Sequence, residues 1–204
     1  MLTNPADILS IVLRGAMGRS GRKRARRATR FITGNGGFLT ASTVLAAAGV
    51  AWGIFDSVRG QNVPQAPGVP NVPPIPVAAA VMPDPVLQMI RLAVSASRAD
   101  GELTPQEREL ILARSQAAGL DAVIEAELTA TRPLAEIVRG ITGPAARKEF
   151  YVLAFTIVRA DETVTGAERI YLAQLAHQLG LDPAAIAAIE AETTAKIDAQ
   201  EPGE

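Results

Sequence analysis

One stretch of this chain is written twice, and that repetition limits the fold more than any other feature. Residues 98–121 and 159–182 align without a gap at a constant offset of 61. Arg98-Ala99-Asp100 matches Arg159-Ala160-Asp161, and Thr104 matches Thr165. Glu107-Arg108 matches Glu168-Arg169, and Gly119-Leu120-Asp121 matches Gly180-Leu181-Asp182. These are 9 identities in 24 positions, spread over the whole window, which speaks for internal duplication. A duplicated unit with acids at fixed places predicts a pseudo-twofold domain with two equivalent acidic corners. It names no activity.

The net charge of −1 hides a strong partition. Residues 1–60 carry 9 Lys/Arg against 2 Asp/Glu, residues 61–83 carry no charge, and residues 84–204 carry 11 against 19. The last part is long enough to bury one core and accounts for a single globular domain. With no cysteine, neither a disulfide framework nor a thiolate metal site is open to this chain.

Phe31 to Phe55 are 25 consecutive uncharged residues. About 20 suffice to cross the hydrocarbon core, so a transmembrane helix is expected over 31–58. Gly49 and Gly53 form a small-residue face suited to close helix approach and hence to a homo-oligomer. Trp52 and Phe55 suit an interface. The competing structural reading is a buried Ala-rich helix. Eight basic residues precede the segment (Arg14, Arg19, Arg22, Lys23, Arg24, Arg26, Arg27 and Arg30) and only Arg59 follows closely. The positive-inside rule then keeps the N-terminus in the cytoplasm and sends the C-terminal part across. The absence of a small-x-small cleavage site argues against a signal peptide, and Phe31 falls too late after Arg26-Arg27 for a twin-arginine signal.

Residues 1–30 read as a basic amphipathic region lying on the inner leaflet. The same arginines supply an alternative, a soluble protein whose arm grips nucleic acid, although no aromatic is interleaved for base stacking. Residues 59–83, with seven prolines from Pro64 to Pro83, read as an extended spacer, and residues 198–204 as a polar tail.

Residues 84–197 read as seven helices. Asp84-Pro85 caps and starts the first, with Val86, Leu87, Ile90 and Val94 at helical spacing. Thr104-Pro105-Gln106-Glu107 is a capping box for the second, and Gly119 stops it. Asp121 caps the third, short helical structure is expected around 133–142, and a longer helix from Pro144 to Ala160. Thr165-Gly166-Ala167-Glu168 repeats the capping box and Asp182-Pro183 repeats the cap. No segment alternates as a strand does, so the fold class is all-α.

The succession of a helix, Arg-Ala-Asp-Gly-Glu-Leu-Thr-x-x-Glu, a helix, Gly-Leu, and a second Ala-Asp-x-x-Val-Thr-x-x-Glu-Arg resembles the TerB-like domain of tellurite-resistance proteins. The resemblance covers residues 84–195. With its basic N-terminal region and one apolar segment, the layout is similar to bacterial inner-membrane proteins of unknown function that carry such a domain. That resemblance implies paired acidic loops proposed to bind a metal cation, and no established enzyme activity. The expectation it completes is a single-pass inner-membrane protein with a periplasmic helical domain.

Each repeat places an aspartate in the loop and a glutamate seven residues on, Asp100 with Glu107 and Asp161 with Glu168. Asp100-Gly101 through Glu107 reproduces the second half of an EF-hand loop, but Ala96 and Arg98 stand where its first carboxylates belong. The metal ligands expected are therefore Asp100, Glu102, Glu107, Asp161 and Glu168, holding Ca²⁺ or Mg²⁺ weakly. The competing role for the glutamates is helix capping, worth about 1 kcal/mol each. The single histidine, His177, sits mid-helix, and no serine has a base beside it in sequence, so no nucleophilic triad is expected. The functional expectation is a non-enzymatic, membrane-anchored interaction or stress-response module with an unnamed protein partner.

Overall fold

The computed structural model describes residues 23–34, 38, 84–101, 103–116, 121–160 and 164–200. They form eight helices and no strand: α1 (Lys23–Thr33), α2 (Asp84–Ala96), α3 (Pro105–Gln116), α4 (Asp121–Thr129), α5 (Leu134–Ile137), α6 (Pro144–Val158), α7 (Gly166–Gln178) and α8 (Pro183–Asp198). Seven of them lie where the sequence places seven. The all-α expectation stands among the described residues.

The duplication is visible in the boundaries. Adding 61 to the starts of α2, α3 and α4 lands within one residue of the starts of α6, α7 and α8. Among the described residues, 84–198 thus form two three-helix units, α2–α4 and α6–α8, joined by the short α5. Local chemistry sets the starts of the second unit. Pro144 and Pro183 occupy first-turn positions where their missing N–H costs nothing. Thr165 and Glu168 close a reciprocal capping box, and Asp182 accepts from the Ala185 N–H at 2.8 Å. At the end of α7, Gly180 takes φ +64°, which lets the Leu181 N–H reach back to the Ala176 carbonyl at 3.0 Å. That is the left-handed helix stop that glycine alone adopts without strain.

The equivalent helices α2 and α6 pack on each other more extensively than any other pair. Their inward positions correspond. Met89, Ile90, Leu92 and Ala93 are fully buried in α2, as are Phe150, Leu153 and Ala154 in α6, with Tyr151 nearly so. Tyr151 also donates to Glu190 Oε1 at 2.6 Å, tying α6 to α8. On the outside of the same pair of helices, Lys148 and Lys196 both donate to Glu192 at 2.7 Å. These two hydrogen bonds hold the Glu192 carboxyl down at about 2. A folded-state pKa below the unfolded value contributes stability that is complete above the ordinary carboxylate range and is lost as pH falls through about 2. Glu192 is 44% exposed, so solvent screens the gain. A carbon-detected NMR titration should find its midpoint well below those of other exposed glutamates, and an ordinary midpoint would remove the tie.

Helix α1 corrects the membrane reading. It packs against α6 and α8, burying Ala28, Phe31 and Ile32 in the domain core. The Phe31 ring lies 6.4 Å from that of the buried Phe38. Residues 31–33, assigned to the start of a span, thus continue the basic helix, and Phe31 and Ile32 find protein rather than lipid. No helix among the described residues is long and apolar enough to cross a membrane. The expectation of a single-pass inner-membrane protein with its N-terminus in the cytoplasm and its domain across is overturned. A helix docked on the domain cannot be separated from it by a bilayer. Residues 35–37 and 39–58 of the expected span, with Gly49 and Gly53, the spacer 59–83 and the tail beyond 200 lie outside the described residues.

Candidate functional site

The acidic corners carry less chemistry than their repetition suggests. Asp100 is exposed in the turn after α2, and Glu107 lies on the first turn of α3. Glu168 is buried, but its Oε2 accepts the Thr165 N–H at 2.6 Å while its own N–H donates to Thr165 Oγ1 at 3.2 Å. It is committed to the cap. Glu102 and Asp161 lie outside the described residues. Among the described residues, no three His, Cys, Asp or Glu side chains gather to hold a metal ion. His177 is exposed on α7.

A different site lies between α2, α4, α5 and α7. It is a cleft of about 240 Å³, and its walls carry Arg91, Ser95 and Arg98 from α2 and the turn after it. Glu127 comes from α4, Arg132 from the connection to α5, and Tyr171 and Gln174 from α7. Val94, Leu134 and Ile137 supply apolar lining. Helical spacing explains the arrangement. Arg91 and Ser95 stand one turn apart on one face of α2, and Tyr171 and Gln174 share a face of α7.

Glu127 organises the charges. It is only 7% exposed, and such a carboxylate must be paired. Arg91 Nε reaches its Oε1 at 3.1 Å and Arg132 Nε its Oε2 at 2.8 Å. Arg132 Nη1 is further spent on Glu136 at 2.7 Å. Donating hydrogen bonds to these two carboxylates, Glu127 before Glu136, raises the Arg132 pKa above its ordinary value. Arg98 is used differently. Its guanidinium donates to the Leu128 carbonyl and, at 3.3 Å, to that of Ala130, capping the C-terminal end of α4.

Two donors remain. The Arg91 Nη groups have no hydrogen-bond partner among the described residues, and the side chain is 24% exposed. The Tyr171 hydroxyl is buried, and apart from the Ser95 hydroxyl, which lies close enough to interact with its oxygen without a well-formed hydrogen bond, it has no partner there. Burial pushes the Tyr171 pKa up, an effect that Ser95 beside it partly offsets, so the phenol stays a neutral donor at physiological pH.

The second repeat builds a different cleft at the corresponding place, about 520 Å³ and lined by Val152, Glu192 and Thr193 with Lys148, Lys196 and the Phe31 and Phe38 rings. At the offset of 61, Arg91, Ser95 and Arg132 become Val152, Thr156 and Thr193. Arg159, the counterpart of Arg98, lies over the Phe155 ring at 5.8 Å with its Nε buried and unpartnered among the described residues. Helix length separates Arg159 from Arg98. Helix α4 ends at Thr129 and frees carbonyls for Arg98, whereas α8 runs on to Asp198 and keeps the corresponding carbonyls inside the helix.

A family model described as "Protein of unknown function (DUF533)" matches residues 9–193. No curated protein and no solved structure matches the chain.

Proposed function

This chain belongs to the DUF533 family, and from that premise we propose that it is a non-enzymatic binding module whose ligand site is the arginine-lined cleft. The observation that carries the reading is one of unused valence. A cleft with three arginines and one glutamate, in a domain rich in acids, keeps the Arg91 Nη groups and the Tyr171 hydroxyl without hydrogen-bond partners among the described residues. The buried Tyr171 hydroxyl costs free energy unless something accepts from it, and an anion that does so gains a charge-assisted bond from the Nη groups of the partly exposed Arg91 as well.

The same geometry favours binding over turnover. Glu127, the carboxylate in the cleft wall, has both oxygens spent on two guanidinium groups. Tyr171 remains protonated. The resemblance of residues 84–195 to the TerB-like domain supports the reading, since it implies a helical module without an established activity.

The test is thermal unfolding of the full chain against a panel of small carboxylates and inorganic phosphate. Anion binding to the folded state should raise Tm in a saturable way, and Arg91→Gln should abolish the rise. A panel in which no anion shifts Tm would overturn the reading.

A further inference from the structure

We infer that the cleft takes a short aliphatic monocarboxylate, with its carboxylate gripped by Arg91 and the Tyr171 hydroxyl and its tail against Val94, Leu134 and Ile137. The inference rests on the cleft being an anion site, and it follows from three further features of that cleft.

The first is the count of free donors. Arg132 is spent on Glu127 and Glu136, and Arg98 on the ends of α4. Of the three arginines, Arg91 alone has both Nη groups without a hydrogen bond among the described residues, and Tyr171 adds one O–H. One guanidinium edge with one hydroxyl satisfies a planar carboxylate of single charge. A phosphate dianion has more oxygens than these donors can serve. It would also bring two charges beside Glu127, whose Oε1 lies 3.1 Å from Arg91 Nε.

The second feature is size. A volume of about 240 Å³ is below the range of sites for drug-sized ligands and suits a ligand of few heavy atoms. The third is the apolar lining, which rewards burial of a hydrocarbon tail at about 0.8 kcal/mol per methylene. Acetate has too little tail to use it.

Isothermal titration of the full chain with isovalerate, acetate, inorganic phosphate and isopentylamine separates the cases. Isovalerate should bind at one site, acetate more than tenfold more weakly, and the amine not at all. Tyr171→Phe should weaken isovalerate binding about tenfold, while leaving Tm without ligand unchanged or raised because an unpartnered buried hydroxyl is removed. A purely structural tyrosine would not give that split. Phosphate binding at the cleft with no isovalerate binding would overturn the carboxylate inference and leave the anion reading standing. Silence from every anion would overturn both. Isovalerate bound equally well by Tyr171→Phe would remove the hydroxyl from the site.

Discussion

Phe150→Ala should destabilise the folded chain by about 3–5 kcal/mol, and Met89→Ala by about 2–5 kcal/mol. The two positions are 61 residues apart and correspond in the duplicated units. Both are fully buried, on the two helices that pack most extensively on each other. Truncation at either leaves a cavity in the seam between the units. The cost is the lost burial of the side chain plus the void that the neighbours do not fill. Equilibrium urea unfolding measures it, with the slope checked for constancy so that the shift reads as stability. A loss below 1 kcal/mol at both positions would mean that the units do not meet along α2 and α6.

The second large effect concerns α1. Phe31 and Ile32 each gain about 1.5–3 kcal/mol from burial against α6 and α8. Ile32 is fully buried, and a carboxylate there would have no water and no partner supplied for it. Ile32→Asp should therefore release the helix from the domain rather than bury the charge. In limited proteolysis, trypsin should cut the wild-type chain slowly at Arg27 and Arg30 and the variant many times faster, while the core around α6 stays resistant. Equal and rapid cleavage in the wild type would show that α1 is not docked, and would reopen the separation of the arginines from the domain that the docked helix excludes.

The frame was legible in the sequence because helix punctuation repeats with the duplication. Pro144, the Thr165–Glu168 box and Asp182-Pro183 mark starts that the structure keeps within a residue or two. The placement of α1 was not legible. Ala28, Phe31 and Ile32 form an apolar stripe that fits a membrane surface and a protein groove equally well, and only the groove between α6 and α8 decides between them.

The site was missed for a related reason. What the repeats share includes Asp100, Glu107, Asp161 and Glu168, and of these Glu168 serves the capping of a helix start. The cleft is built from what the repeats do not share. Arg91 faces Val152 across the alignment, Arg132 faces Thr193, and Tyr171 faces Leu110. A charged residue at an inward helical position in one copy, with an apolar residue at the same place in the other, was a signal available in the sequence. Its meaning depends on the early end of α4 and the insertion of α5, which periodicity alone does not fix.

The central claim is that the carboxylate binds in the arginine-lined cleft of the first unit and not at the corresponding cleft of the second. Nitrogen–proton NMR of the labelled full chain, titrated with isovalerate, tests this most directly. The account predicts saturable shifts confined to the amides of Val94, Ser95, Ala130, Thr131, Arg132, Tyr171 and Gln174, with Val152, Thr156 and Thr193 unmoved. Shifts of equal size at Val152, Thr156 and Thr193, or shifts that never saturate, would contradict it.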